Sequence, residues 1–525
     1  MEHQLDHVES RELTEETEVQ PDGEAMAAET TSVPAPPTRP PRGRSSYATR
    51  DLTAGSIPRN LWFLAWPQMI EGVLNVVDQM MDLFWAGRGF GIRAIAGLGV
   101  AHTYMMLLMQ GRMGLDMGMQ AMIARAIGMG DRRLANHAAL QAFTLTGAFS
   151  LLMAALGILF TEPLLRIVGV SEEVMAQAGP YMRINFIGMG TTGFRMMSGT
   201  ALQASGDTMT PMKATTVTRI IKVFLSPMLA FGWLGLPALG LPGLAVATVI
   251  SQLAGVAMNF YALFRGTSRL HLTFRGYRPD PSVLWQQVRI GAPAIVNGME
   301  RSLAQLLLTG IVARFGDVTL ASYSLANRAQ MFVMMGMMGL GRSTGVLVGQ
   351  NLGANNLQRA RQSVLWSLLF MSLVNGVLGG AVVAFPRPFL SIFSKDPELL
   401  AIAATWLRIQ IVGFVFMGSS QVFAQSFQTA GDTVPPMLVS LVTLWGIQQP
   451  AAFILSGIAQ NWSFLGLHVP TVGNLGQFGV AWAVVIAMAT PILFYVPYYM
   501  WGPWWKKRVF GGRTAVPASG EGRSQ

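Results

Sequence analysis

Long apolar stretches separated by short polar loops dominate the chain from about position 58 onward. Leu61–Leu83, Leu140–Phe160, Val364–Phe385 and Val480–Tyr499 each have about the 20 mostly apolar residues that a helix needs to cross a bilayer. This length rule predicts about twelve transmembrane helices, near 59–84, 94–123, 135–160, 175–202, 210–234, 241–265, 283–313, 319–348, 360–385, 398–427, 434–458 and 478–502. The predicted fold class is an all-α integral membrane protein.

The same pattern occurs twice along the chain. The heptapeptide GDTMTPM, which begins at Gly206, returns 225 residues later at Gly431 as GDTVPPM. The Gly128 turn maps onto Gly353 in the same register. Internal repeats of this kind are typical of secondary transporters, so we predict two pseudo-symmetric six-helix bundles.

Composition excludes several classes of protein. Hydrophobic residues make up 51% of the chain and charged residues 12%, which argues against a soluble enzyme. The absence of cysteine excludes disulfides and thiolate chemistry. The sequence has no Walker A motif and no basic stripe interleaved with aromatic residues, so we expect neither ATP nor nucleic acid as a partner, and no cofactor.

Five regions follow from these patterns. They are a disordered acidic and proline-rich tail over 1–55, an N-terminal bundle over 56–266, a linker over 267–282, a C-terminal bundle over 283–505 and a second tail over 506–525. The basic residues concentrate in loops after even-numbered helices, which predicts that the linker and both termini are cytoplasmic. We expect a multi-pass protein of the cell membrane, plasma or inner.

Several short segments are similar to one family. They are Ala65-Trp66-Pro67, the stretch that begins at Asp82, the Gly128 turn, the doubled GDTxxPM motif and Pro293. Over about residues 58–505 the chain resembles the multidrug and toxic compound extrusion (MATE) transporters. The resemblance implies two bundles facing each other across a central cleft. It also implies export of cationic or amphipathic compounds driven by inward flow of H⁺ or Na⁺, and no enzymatic activity.

Three acidic residues share one face of the first predicted helix. At about 100° per residue, Glu71, Asp78 and Asp82 fall within about 40° of one another, and Asn75 joins them. A charge at the bilayer centre costs at least about 2.5 kcal/mol, so these residues need partners or a function. The pattern predicts a proton or cation site; the alternative is a salt bridge that anchors helix packing. Asp82 matches the family's acid in this helix by its distance from Pro67.

The fifth predicted helix carries basic residues at matching depth. Many MATE proteins have Asn where Lys222 stands and Asp where Ser226 stands, so a Na⁺ site built from those oxygens is not expected here. We predict instead a buried network of Lys222 and Arg219 with the acids of the first helix. Protonation of an acid would free its partner, which favours H⁺ over Na⁺ as the coupling ion.

Other candidate residues have two interpretations each. Glu300 follows Pro293 by seven positions, where the family's acid follows by eight, and either ion coupling or packing explains it. Met106, Met109 and Met335 belong to methionine-rich helices that suit a promiscuous substrate cavity, together with Asn75. Ordinary packing or lipid contact is the alternative for these methionines.

The sequence thus predicts a monomeric antiporter that exports small amphipathic or cationic molecules. A related flippase for a lipid-linked precursor remains an alternative, because it would need a strongly cationic cleft and Arg195, Arg219, Lys222, Arg301, Arg328 and Arg342 are available. A membrane scaffold that transports nothing is a further alternative, although it would not need clustered ionisable groups at depth.

Overall fold

The computed structural model describes residues 50–167, 172–235, 237–391, 396–458, 463–464, 467–468, 475–507 and 509–510, with only the backbone at some helical positions, among them 86–97 and Met335. Most of the two predicted tails, 1–49 and 511–525, lies outside these residues. The helices are α1 (Ile57–Gly128), α2 (Arg132–Ile167), α3 (Glu172–Ser205), α4 (Met209–Phe231), α5 (Leu241–Arg265), α6 (Pro281–Ala313), α7 (Asp317–Gly353), α8 (Leu357–Ala384), α9 (Pro386–Leu390), α10 (Pro397–Thr429), α11 (Val434–Leu441), α12 (Gln449–Leu455) and α13 (Gln477–Trp501). A π-helical stretch, Val442–Gln448, joins α11 to α12. Two short strands, β1 (Ser463–Phe464) and β2 (Leu467–His468), pair antiparallel before α13.

The helix starts confirm the internal repeat. α8, α10 and α11 begin 225 residues after α2, α3 and α4, respectively. Ile57–Gly128 in the first bundle corresponds to α6 and α7 together in the second. The first bundle is therefore α1–α5 and the second α6–α13, with six membrane passes in each when α1 counts as two.

The first two predicted spans, on either side of 85–93, lie within the single helical element α1. No residue between Ile57 and Gly128 ends this element, although three glycines fall in the predicted loop. Glycine permits a departure from helical geometry but does not require one. In the second bundle the equivalent segment separates α6 from α7, and Gly316 adopts a φ of 99° there.

Both ends of α1 nevertheless lie at the same face of the protein. Leu52, just before α1, and the side chain of Gln350 both lie beside Gly206, while the carbonyl of Gln350 lies against Gly128 at the other end of α1. The helix therefore crosses the bundle and returns. We call this side, where α1 and α7 end, the 128/353 face.

Among the described residues, seven helices are long and apolar enough to cross a membrane, or eight if the bent halves of α7 form one span. The long helices outside this group include α1, α3 and α6. These three carry charged and amide side chains that line the site described below.

The first span of each bundle packs into the hydrophobic core of the other bundle. Leu61, Leu64 and Ala65 of α1 pack in a cluster with residues of α7, α8 and α10. Ile290 of α6, 225 residues after Ala65, packs in a cluster with the end of α1 and with α2. The two bundles are therefore tightly joined toward the 128/353 face. A molecule could enter the space between them only from the opposite face, or after the bundles separate at this one.

Candidate functional site

Two acidic residues of α1 hold one lysine of α4 between them. The Lys222 ammonium lies 2.8 Å from an oxygen of Asp82 and 3.1 Å from Asp78. The Lys222 side chain is 4% exposed, whereas Asp78 and Asp82 are 14% and 21% exposed. Charges this deeply buried are stable only when paired, which this arrangement achieves.

A second cation completes the pairing. The guanidinium of Arg219 lies 2.7 Å from Asp78 and donates a 2.7 Å hydrogen bond to the side-chain oxygen of Asn75. The two carboxylates and two cations balance in formal charge. Among the described residues, the Oδ1 atom of Asp82 is buried and has no hydrogen-bond partner. That oxygen is a place where a proton could bind.

The contacts form a ladder because the two helices use the same spacing. Glu71, Asn75, Asp78 and Asp82 recur at i, i+4, i+7 and i+11 on α1, and Thr215, Arg219, Lys222 and Ser226 repeat that spacing on α4. Opposite members are 144 residues apart, as in the hydrogen bonds Thr215–Glu71, Arg219–Asn75 and Lys222–Asp78. Ser226, buried one turn after Lys222, takes the fourth place, level with Asp82.

The turn before α4 fixes where this ladder begins. Gly206 adopts a φ of 102°, and the side chain of Asp207 accepts hydrogen bonds from the backbone N–H and the hydroxyl of Thr210, at 3.1 and 2.7 Å. Burial raises the pKa of Asp207, although the bonds from Thr210 oppose that shift. The side chain of Asp207 thus binds the first turn of α4 and fixes where that helix starts.

Glu71 belongs to a separate group at the end of the ladder. It accepts hydrogen bonds from Gln203 at 2.9 Å and Thr215 at 3.1 Å, and Arg195 lies 3.9 Å away. The sequence did not identify Gln203 and Thr215 as hydrogen-bond donors to Glu71. The matching spacing on α4 is a signal that could have found Thr215, whereas the approach of α3 has no such signal.

A cavity of about 200 Å³ lies between the two bundles beside this group. Glu71, Arg195 and Gln203 line it from the first bundle, and Arg301 and Arg342 line it from the second. Seven methionines contribute to its wall, among them Met113, Met117 and Met334. Flexible thioether side chains adapt to differently shaped apolar molecules.

The cations and acids of this cavity are unequally paired. Glu71 has Arg195 nearby, and Asp116 forms a 2.8 Å ion pair with Arg112. Within the described residues, no carboxylate lies within ion-pair distance of Arg301 or Arg342. With three arginines and two acids in its lining, the cavity carries an excess of positive charge beside an apolar methionine wall.

The remaining predicted residues lie elsewhere. Met106, Met109 and Asn75 are not among the residues that line the cavity, and the side chain of Met335 lies outside the described residues. Glu300 is buried in α6 and its environment includes Ser440 of α11, so it is separate from the ladder. In the described part of the chain, the His, Asp and Glu side chains form no group of three that could hold a metal ion.

Comparison with known proteins gives these features a family context. The chain is 28% identical over 411 residues to the probable multidrug resistance protein YoeA of Bacillus subtilis, covering 78% of this chain and 89% of that one. It is 26% identical to the FAD transporter of Shewanella oneidensis, covering 78% of this chain and 90% of that one. A solved outward-facing multidrug resistance MATE transporter shares the fold, with a TM-score of 0.76, 20% identity and coverage of 86% of this chain and 96% of the other. The sequence profile of the MatE family matches residues 67–228 and 293–454, and the chain is therefore a member of the MatE family of multi-pass membrane transporters.

Proposed function

We propose that this protein is a proton-coupled exporter of small amphipathic molecules. The observation that carries the proposal is the position of Lys222 between Asp78 and Asp82, where relatives with a sodium site would need oxygen ligands alone. An ammonium at this position repels a metal cation, since like charges a few ångströms apart destabilise each other in a low-dielectric interior. A proton needs only one free carboxylate oxygen, which Oδ1 of Asp82 supplies.

The proposed coupling step is the neutralisation of Asp82. A proton bound at Oδ1 removes the negative charge opposite Lys222, so the contact with Asp82 weakens while Asp78 retains both Lys222 and Arg219. The pairing between α1 and α4 therefore changes without leaving a bare buried cation. Such a local change in charge would shift the equilibrium between two packing arrangements of α1 and α4.

The same face of α1 connects this step to the substrate. Glu71 lines the cavity between the bundles, whereas Asp82 lies three turns farther along the same stripe. Movement of the α1 face against α4 would therefore alter the cavity wall at Glu71 and Arg195. The proton site and the substrate cavity would thus share the moving helix α1, so that binding of one would oppose binding of the other, as exchange requires.

We further propose that the 128/353 face is cytoplasmic and that the protein works as a monomer in the cell membrane. The basic residues of the loops at this face support the orientation. With this orientation, the tightly joined bundles close the cavity toward the cytoplasm, as in a transporter open to the outside.

Transport by the purified protein in sealed vesicles tests the proposal. We expect uptake of a fluorescent lipophilic cation driven by a pH gradient without Na⁺, and at least about tenfold slower uptake for Asp82→Asn. The control is Glu162→Gln, which removes an exposed acid of a surface ion pair, about half exposed, and is expected to stay within about twofold of wild type. Uptake that requires Na⁺ at constant pH would refute proton coupling.

A second substrate class is favoured by one observation. Arg301 and Arg342 give the cavity positive charge, and one relative is named as a transporter of FAD, an anionic dinucleotide. Export of an anionic or zwitterionic amphiphile, including a lipid-linked precursor, is therefore the alternative function. The same vesicles loaded with an anionic fluorescent dye separate the two, because selective uptake of the anion would favour the alternative.

A further inference from the structure

A second, larger cavity lies at the 128/353 face within the first bundle. It measures about 760 Å³ and is enclosed by the start of α2, the end of α5 and the segment 266–277 that leads toward α6. Five arginines line it: Arg132, Arg133, Arg265, Arg269 and Arg275. No Asp or Glu is among its lining residues.

The segment that closes this cavity is fixed in place. The side chain of Asn136 in α2 donates to the carbonyl of Thr273 and accepts from its backbone N–H, both at 3.0 Å. Gln141 donates a 2.6 Å bond to the carbonyl of Arg278, and Leu272 binds the end of α5 through a 3.0 Å backbone bond. The arginines therefore surround a defined space and do not sit on a loose loop.

The positive charge of the cavity is mostly uncompensated. Arg269 lies 3.5 Å from Asp51, and burial, together with Arg132 nearby, lowers the pKa of Arg269 against the effect of Asp51. Within the part of the chain that the structure describes, Arg132, Arg133, Arg265 and Arg275 have no carboxylate partner. Asp280 faces His137 at the edge of the cavity. Four free guanidinium groups around one space would bind a group with more than one negative oxygen.

Aromatic side chains flank the same arginines. Phe264 and Phe274 pack against each other with ring centroids 5.7 Å apart and ring planes tilted by 42°, and Arg265 lies over the ring of Tyr261. Tyr261, Phe264 and Phe274 are 57%, 42% and 61% exposed. Tyrosine is enriched at the interface between lipid headgroups and hydrocarbon, so Tyr261 and the exposed phenylalanines beside it favour a position of the cavity at headgroup depth.

We propose that this arginine cavity binds the phosphate of an anionic phospholipid headgroup, with Phe264 and Phe274 against the upper acyl chains. The uncompensated guanidinium groups supply the charge, and the exposed aromatic pair favours a lipid over a dissolved phosphate compound. The site is separate from the ladder and from the cavity between the bundles. It does not depend on the proposed coupling ion.

Retention of spin-labelled phosphatidylglycerol by the full-length protein in phosphatidylcholine nanodiscs tests this site. We expect a motionally restricted fraction for phosphatidylglycerol that is absent for spin-labelled phosphatidylcholine. The double variant Arg133→Gln/Arg275→Gln should bind phosphatidylglycerol more weakly, by about fivefold for each arginine removed. Both side chains are exposed, so the variant should fold, as unfolding in detergent would verify.

The matched control is Arg59→Gln/Arg278→Gln, which removes two exposed arginines that do not line the cavity. Equal loss of phosphatidylglycerol in both double variants would refute the site, since it would show that only overall charge matters. Release of the lipid by millimolar inorganic phosphate would also overturn the proposal and assign the cavity to soluble phosphate compounds. Retention by the control and loss in the cavity variant would support it.

Discussion

At the scale of single residues, the sequence predicted the acidic stripe of α1 and its basic counterpart on α4. The structure brings Asp78, Asp82, Lys222 and Arg219 together as that pattern suggested. The periodicity could not reveal Gln203 or Arg195, because α3 reaches Glu71 only through tertiary packing. Residues on one helix are visible in a sequence, whereas partners from a third helix are not.

The first prediction concerns the asymmetry between the two acids. Lys222→Met should destabilise the protein by about 3–5 kcal/mol, because it leaves Asp82 buried without a cation. Asp78 keeps Arg219, so adding Asp82→Asn to Lys222→Met should restore much of the lost stability, and adding Asp78→Asn should restore less. Unfolding by denaturant in detergent measures this cycle. Equal rescue by the two Asn substitutions would contradict the asymmetry.

At the scale of helices, chain length and turn motifs predicted most elements but not their ends. α1 runs through a glycine-rich segment that the sequence suggested as a loop, and a π-helical stretch interrupts the second bundle at Val442–Gln448. Neither feature has a signal in the apolar pattern used to place the helices. The start of α6 has a local cap, because the carboxylate of Asp280 accepts backbone bonds from Ser282 and Val283.

The cap at Asp280 gives a prediction for pH. Hydrogen bonds, first from Ser282 and then from His137, hold the pKa of Asp280 below its usual value of 3.8. A lowered pKa means that this stabilisation is complete above 3.8 and is lost as the pH falls through the folded-state pKa. Asp280→Ala should cost about 1 kcal/mol at pH 7, with a difference from wild type that shrinks below pH 3.8.

Thermal unfolding in detergent across this pH range measures the effect. Asp280→Asn is the control, because asparagine also caps helices but does not titrate. It should remain close to wild type at pH 7. A difference between wild type and Asp280→Ala that does not change with pH would contradict the assignment.

At the scale of the whole molecule, the sequence revealed the internal repeat but not the contact between its two copies. Gly128 and Gly353 occupy equivalent positions, and the structure places each against the other bundle. An added Cβ would lie 2.0 Å from the carbonyl oxygen of Gln350 at Gly128, and 2.2 Å from that of Arg125 at Gly353. Gln350 and Arg125 are themselves 225 residues apart, so the contact obeys the same pseudo-symmetry.

Alanine at either glycine should therefore separate the bundles at the 128/353 face. We expect Gly128→Ala and Gly353→Ala to favour an arrangement open at this face and to lower stability by about 1–3 kcal/mol. The chain has no cysteine, so spin labels at Met129→Cys and Ala354→Cys can report the separation directly. The control is Gly310→Ala, where a Cβ meets nothing within 4 Å. An unchanged distance distribution in both glycine variants would be incompatible with this contact.

The diagonal contacts of the ladder have a mechanical consequence. Lys222 reaches both Asp78 and Asp82, and Arg219 reaches Asp78 as well as Asn75, so each acid already faces the cation of the next register. A slide of α4 along α1 by one helical turn, about 5.4 Å, would leave Asp78 opposite Arg219 and Asp82 opposite Lys222. Both registers would keep the two acids close to cations, so if Asp82 takes up the coupling proton, its neutralisation would change the relative stability of the two registers.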